Sequence, residues 1–280
     1  MNDAKNKIEE KLAAGAFLGA ITGDIVGSVY EWNNIKTKDF PFFSSKCFPT
    51  DDSIMTLAIA KALLECNGSY LDLSQKAIDN MLLLGALYPH TGYGGRFSSW
   101  LNALKPKPYN SFGNGSAMRV SAVCYAAASI EEVKELSYKV TSVTHNHVEG
   151  IKGAEATAVA IYMALQGSSI QEIKDVIIKD YYPMDFTLDE IRDTYRFNET
   201  CQNTVPQALE AFFESIGFED AIRNAIVLGG DSDTIAAITG GIAAAYYGIP
   251  DNIYNKALEY LDDYLIEIHD CFYKKYEVIK

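Results

Sequence analysis

Helix-opening signals recur along this chain, and no stretch alternates apolar and polar residues as a half-buried strand must. Ser129-x-x-Glu132, Ser169-x-x-Glu172 and Thr187-x-x-Glu190 read as capping boxes, in which a hydroxyl and a carboxylate satisfy first-turn N–H groups. Apolar spacing predicts further helices over Ser53–Cys66, Leu73–Leu87, His147–Leu165, Val205–Ser215, Phe218–Val227, Thr234–Tyr247 and Asp251–Ile268. Ala117–Ala128 is apolar almost throughout and is expected to be a central helix. Lys11–Tyr30 is another, with Ala13, Gly15, Ala16, Gly19, Ala20, Gly23 and Gly27 spaced for close backbone approach. Each interior glycine costs it about 1 kcal/mol in helix propensity. The β-branched cluster Val176–Ile178 follows a cap and is also read as helix. Pro- and Gly-rich loops fall at Asp39–Thr50, Pro89–Gly115 and Asn198–Pro206, and their aromatic and turn residues are unlike those of a flexible linker. The expectation is one all-α domain over residues 1–280.

The length of 280 residues suits that expectation. A folded monomer of this size exposes roughly 12,000 Å² and buries about 73% of its unfolded surface. Lysine and arginine number 24 against 37 acids, for a net charge of −13. This balance argues against direct nucleic acid binding and against an anionic membrane surface, since both need basic residues on phosphates. A small anionic ligand held by a few local donors remains compatible. Cys47, Cys66, Cys124, Cys201 and Cys271 are odd in number, widely spaced and without a C-x-x-C, which points to a reducing compartment rather than a thiolate zinc site. The N-terminal stretch lacks the apolar run of a signal peptide, and Ile235–Ile249 is too short and too broken by Gly and Thr to span a membrane. A cytoplasmic monomer is expected.

Two acidic loops each open a helix. The first is Thr50-Asp51-Asp52-Ser53, and the second is Gly230-Asp231-Ser232-Asp233-Thr234. Asp, Ser and Thr are preferred caps, and acids suit the positive end of a helix. A cap needs only one acceptor, however, and adjacent carboxylates repel. A divalent cation relieves that repulsion, and an all-oxygen donor set suits Mg²⁺, Mn²⁺ or Ca²⁺. Capping and cation binding both account for the composition of these loops. Asp24 lies among Ile21, Thr22, Ile25 and Val26 and needs a partner if buried. Glu31 follows seven residues later, about two turns on, and is expected on the same helix face.

Three other segments could serve a ligand. Phe112-Gly113-Asn114-Gly115-Ser116-Ala117-Met118-Arg119 precedes an apolar run, and it is either an ordinary tight turn, the plainer reading of the segment alone, or a Gly-x-Gly at a helix start that offers N–H groups to an anion. Gly92-Tyr93-Gly94-Gly95-Arg96 is either a cover for a ligand or a plain turn. In Thr144-His145-Asn146-His147, no H-E-x-x-H follows, so a hydrogen-bonding histidine is favoured over a zinc ligand.

Taken together and in order, Gly23-Asp24 to Glu31, Pro49-Thr50-Asp51-Asp52, Gly113 to Arg119, Thr144-His145 and Gly230 to Thr234 resemble the ADP-ribosylglycohydrolase family over about residues 12–250. The resemblance implies an orthogonal multi-helix bundle around two divalent cations, Mg²⁺ ahead of Mn²⁺. It implies hydrolysis of the bond between ADP-ribose and an acceptor on a protein or small molecule. By that pattern Thr50, Asp51 and Asp52 hold one metal, while Asp231, Asp233 and Thr234 serve the pair, with Asp233 bridging. Glu31 matches an acid that gates or orients substrate and water, and Asp24 matches an acid that supports the site. Gly113, Asn114, Gly115 and Ser116 would hold the diphosphate, with Met118 in the same motif. Phe112 would lie against adenine, His145 would bond the ribose region, and Tyr93 and Gly94 would cover the ligand. The nitrogenase-regulating branch carries an Asp just before its Tyr-Gly pair, where this chain has Gly92, so an arginine acceptor does not follow. Two alternatives to acceptor hydrolysis stand. One is hydrolysis of another derivative such as O-acetyl-ADP-ribose, and the other is an inactive ADP-ribose-binding module.

Overall fold

A computed structural model describes residues 16–276. Its organising contact is between two helices rich in small residues, α1 (Ala16–Gly27) and a helix over Ser232–Tyr247 that is twelfth in chain order. A side chain at Gly19 would overlap the Gly240 carbonyl, one at Gly23 the Ala236 carbonyl, and one at Gly27 the Asp233 backbone. The helices therefore lie backbone to backbone and antiparallel, and the end of one meets the start of the other.

The helices between them, in chain order, are α2 (Asp51–Glu65), α3 (Leu73–Leu87), α4 (Gly95–Leu101), α5 (Val123–Ala126), α6 (Ile130–Thr141) and α7 (Val148–Leu165). They continue with α8 (Ile170–Asp180), α9 (Leu188–Ile191), α10 (Val205–Phe213) and α11 (Phe218–Leu228), which lead into α12 (Ser232–Tyr247). The chain closes with α13 (Asp251–Leu258) and α14 (Asp263–Tyr276). No sheet forms among the described residues, and the one isolated bridge joins Gly113 to Thr200. Around α12 pack α1, α7, α10 and α11, while α2 packs on α1, α3 and α14. The fold is all-α, as the sequence pattern requires. No helix among the described residues is long and apolar enough to cross a membrane.

Two of the three expected capping boxes form as spaced. Ser169 with Glu172, and Thr187 with Glu190, make both reciprocal bonds. Ser129 accepts from the Glu132 N–H at 3.2 Å, but Glu132 reaches past it to the Ala128 N–H at 2.7 Å.

Four helix expectations need correction. The start of the first, Lys11 to Gly15, lies outside the described residues, and α1 ends at Gly27 instead of Tyr30. Glu31 therefore sits on a turn beyond the helix and shares no helix face with Asp24. Ala117–Tyr125 is buried as expected, with Ala126 half-buried and Ala128 exposed, yet only Val123–Ala126 is helical. The Ala117 and Met118 N–H groups turn back onto the Asn114 carbonyl at 2.8 and 3.2 Å, and the Met118 carbonyl accepts from the Thr56 hydroxyl. A run that is apolar on every side carries no period, so burial alone had suggested a helix. Asp251–Ile268 is divided because Asp262 caps a new helix, accepting from the Leu265 N–H at 3.0 Å. Finally, α4 forms inside the stretch 89–115 read as loop.

Candidate functional site

The start of α2 is built on a carboxylate from α1. Fully buried Asp24 accepts from the Thr50 N–H at 2.9 Å, the Thr50 hydroxyl at 2.5 Å, the Ser53 N–H at 3.1 Å and the Ser53 hydroxyl. Thr50 is the N-cap, its hydroxyl oxygen accepting from the Asp52 N–H at 3.3 Å. The side chains of Asp51 and Asp52 are thus not needed as caps. Asp52 Oδ2 accepts from the Thr234 hydroxyl at 3.2 Å, while its Oδ1 is buried without a partner.

The start of α12 comes to the same place. Gly229 and Gly230 both take positive φ, +76° and +73°, and a Cβ on Gly230 would lie 2.6 Å from the Tyr195 ring. Asp231 occupies the N-cap position yet makes no side-chain cap bond, and its Oδ2 accepts from Asn114 Nδ2 at 2.6 Å. Asp233 Oδ1 accepts from the Thr234 N–H at 3.0 Å. Asn34 ties the Glu31 turn to this loop. Its amide donates to the Tyr30, Glu31 and Gly230 carbonyls and accepts from the Gly230 N–H at 2.8 Å. Glu31, Asp231 and Asp233 each bring one oxygen to within 4.8 Å of the others.

These carboxylates disturb one another. Burial pushes Asp24 up to about 6, despite the Ser53 and Thr50 hydrogen bonds that favour its anion. Burial also pushes Asp231 up to about 6. Burial, followed by the charge of Asp233, takes Glu31 up to about 7. Asp51, Asp52 and Asp233 lie well above the usual carboxylate range, through burial first and then through neighbouring acids. A buried group of like charges with an orphaned carboxylate oxygen is expensive unless a cation neutralises it. The donors are hard oxygens of carboxylates and threonines. The residues present therefore fit divalent cations of the Mg²⁺ or Mn²⁺ type.

The acids face a cavity of about 430 Å³. Of the residues expected at the site, Glu31, Thr50, Asp51, Asp52, Asp231, Asp233 and Thr234 line it, together with Gly94, Gly113, Asn114, Gly115, Met118 and His145. Asp24, Tyr93, Phe112 and Ser116 are not on its wall. Asp24 lies behind the α2 loop. Tyr93 packs on Phe97, with ring centroids 5.7 Å apart. The Phe112 ring rests edge-on against His147, 5.2 Å away. Ser116 has no exposed surface, and its hydroxyl donates to the Gly150 carbonyl at 2.8 Å, so it faces the core instead of a ligand.

The cavity is also lined by cationic and aromatic groups that the sequence motifs did not single out as site residues. Arg119 is 1% exposed, donates through Nη2 to the Thr144 hydroxyl at 2.6 Å and leaves Nε without a partner. Burial lowers its guanidinium to about 10. Arg96 donates to the Tyr109 carbonyl and covers the Tyr109 ring at 4.9 Å. Trp32 and Phe197 stack at the cavity rim, with centroids 5.1 Å apart. Arg96 and Arg119 end the two Gly-rich segments, which was the available signal. Tyr109, Asn34 and Phe197 carry no local signal, since each acts through residues distant in sequence. His145 and His147 form no pair: His147 caps α7 by accepting from the Glu149 N–H at 3.1 Å.

Comparison with known proteins shows what the whole chain is similar to. ADP-ribosylhydrolase ARH3 of Xenopus tropicalis is 25% identical, the match covering 93% of this chain and 95% of that one. The mouse protein of the same name is 23% identical over 84% and 83% of the two chains. ADP-ribosylarginine hydrolase Tri1 of Pseudomonas putida strain GB-1 is 25% identical over 85% and 71%. A solved structure described as an ADP-ribosylglycohydrolase-related protein complex superposes with a TM-score of 0.70, at 23% identity, over 96% of this chain and 99% of that one. The model of the ADP-ribosylglycohydrolase family matches residues 4–278, and this chain belongs to that family.

Proposed function

We propose that this protein hydrolyses the bond between the anomeric carbon of ADP-ribose and an acceptor, with the help of two divalent cations. The carrying observation is the meeting of two acidic helix starts in one cavity, where Asp52 Oδ1 is buried and unpartnered. Membership of the family and the names of the relatives support ADP-ribose as the common part of the substrate.

Thr50, Asp51 and Asp52 would hold one cation, and Asp231, Asp233 and Thr234 would serve the pair, Mg²⁺ ahead of Mn²⁺. When bound, such ions polarise ligand oxygens and make water a competent nucleophile at neutral pH. Asp24 keeps the α2 loop in shape from behind and need not touch substrate. Glu31, with an oxygen within 4.8 Å of oxygens of Asp231 and Asp233, stands where it can orient water at the anomeric centre. The fixed carboxylates favour a transition state with oxocarbenium character. The diphosphate must lie away from them. The Gly113–Gly115 loop, with Arg119 and His145 beyond, is the wall on which it can rest. Since the Gly113 and Asn114 N–H groups already donate to Ser111 Oγ and the Glu199 carbonyl, the Gly115 N–H and the two side chains would be its donors.

The acceptor is tested with arginine-, serine- and ester-linked ADP-ribose, including O-acetyl-ADP-ribose, each with Mg²⁺, with Mn²⁺ and with EDTA. Release of free ADP-ribose or of the matching acid, lost in EDTA, is expected for at least one linkage. Binding of ADP-ribose with no release from any linkage at saturating metal would make the protein a binding module instead.

A further inference from the structure

We propose that His145 is held as the neutral imidazole with its proton on Nε2, so that it presents a fixed hydrogen-bond donor to the cavity, and that Thr144 is the residue that sets it.

The assignment follows from counting protons on one buried hydroxyl. Thr144 Oγ1 lies 2.6 Å from Arg119 Nη2, 2.7 Å from His145 Nδ1 and 3.3 Å from the Thr141 carbonyl. A guanidinium only donates, so the hydroxyl oxygen accepts from Arg119. Its single proton goes either to Nδ1 or to the Thr141 carbonyl. That carbonyl already accepts the His145 N–H at 2.9 Å and the Thr144 N–H at 3.2 Å, which uses both its lone pairs. The proton therefore goes to Nδ1 at the shorter distance. Nδ1 is bare, and the ring proton of the neutral histidine is on Nε2.

The surroundings keep the ring neutral. His145 is 4% exposed, and burial, followed by the charges of Arg119 and Arg96, holds it well below the usual histidine range. The Tyr109 ring is its other titratable neighbour, at 5.8 Å between centroids. Nε2 is turned toward the glycine loop, lying 3.5 Å from the place a Cβ would take on Gly113 and on Gly115. Without side chains there, the loop leaves this nitrogen open to the cavity that His145 lines. The ligand atom placed here must be an acceptor, such as a hydroxyl, ether or phosphate oxygen, and an ammonium or amide N–H is rejected. Thr144 acts through His145 and is a positioning residue.

This ligand consequence rests on ADP-ribose occupying the cavity, but the tautomer does not, so the two are tested apart. Long-range proton–nitrogen correlation NMR on ligand-free protein with labelled histidine reads the ring directly. The four histidines are few enough to resolve, and His145→Gln identifies the signal by its loss. A protonated Nε2 and a bare Nδ1, unchanged between about pH 6 and 8, are expected. A proton on Nδ1, or on both nitrogens, overturns the proposal. Thr144→Ser should keep that pattern, and Thr144→Val should give a mixture of tautomers. A Thr144→Val spectrum identical to wild type removes Thr144 from the role, and the wild-type spectrum decides the tautomer even if that variant does not fold. In calorimetric titration with ADP-ribose, His145→Gln, which keeps an N–H near the Nε2 position, should bind within about threefold of wild type, whereas His145→Leu should lose about tenfold. Equal loss in both shows that no donor acts there. Failure of wild type to bind ADP-ribose would defeat the substrate reading and leave the tautomer standing.

Discussion

Acids open helices in two ways in this molecule. At α8 and α9, Glu172 and Glu190 reach back to the N-cap N–H, and hydrogen bonds from Ser169 and Thr187 hold both carboxyls below their ordinary range. At α2 and α12, Asp51, Asp52 and Asp233 take no part in reciprocal capping boxes, and burial and one another raise them. The same residue type at the same kind of position is satisfied at the surface and frustrated in the cavity. Capping explains the first pair completely. For the second it explains Thr50 and leaves the carboxylates over, and that surplus is what a cation would satisfy.

The sharpest way to break this contrast is Asp233→Asn. Asparagine keeps the shape and could still accept at a helix start, so a capping residue would lose little. A cation ligand loses its charge. Turnover at saturating Mg²⁺ should fall by about a thousandfold or more, with a helical circular dichroism spectrum and an unchanged or slightly higher melting temperature without metal. Wild-type turnover would return Asp233 to the class of Glu172.

Asp24 belongs to the structural side of the contrast even though it neighbours the acids. Asp24→Ala strands four donors at the α2 start and should cost about 3 kcal/mol in chemical denaturation. A change under about 0.5 kcal/mol would mean that the α2 start does not depend on it.

The pH dependence separates the two classes by sign. In the metal-free protein Asp24 and Asp231 titrate near 6 and Glu31 near 7, above their unfolded values. The folded state then binds protons that the unfolded chain releases between about pH 4 and 7, so stability falls as pH rises through that window. The surface acids Glu172 and Glu190 act oppositely: their stabilisation is present above the ordinary glutamate range and is lost as pH falls through their lowered values. Denaturation in EDTA across pH should show the first trend, and saturating Mg²⁺ should reverse it because metal competes with protons. A metal-free protein that grows more stable as pH rises from 5 to 7 would contradict the raised carboxyls.

Ser116→Ala should cost about 1 kcal/mol of stability through its lost bond to Gly150 and leave ADP-ribose affinity unchanged within about twofold. A larger loss of affinity would mean the hydroxyl turns toward the ligand. Smallest of all, Ser169→Ala removes a true cap and should lower stability by about 1 kcal/mol with full turnover.

Much of this was legible before any coordinates. Capping boxes name their own helix starts, and small residues at Gly19, Gly23 and Gly27 announce a close neighbour. The acidic loops stood out because adjacent like charges need a reason. What stayed hidden depends on contacts far apart in sequence. Ser116 looks like a ligand donor until Gly150 takes its proton, and Glu31 looks helical until the chain turns after Gly27. Nothing beside Tyr109 or Asn34 in the chain marks either residue. Ala117–Ala128 misleads for a different reason: burial of nearly the whole run erases the periodicity that separates helix from packed turns.

Diffraction at the manganese edge from crystals grown in Mn²⁺ addresses the proposed cation centre most directly. Two anomalous peaks about 3.5–4 Å apart are expected in the cavity, one against Thr50, Asp51 and Asp52 and the other against Asp231, Asp233 and Thr234. No peak between these helix starts at saturating Mn²⁺, with the acids still packed together, would contradict it.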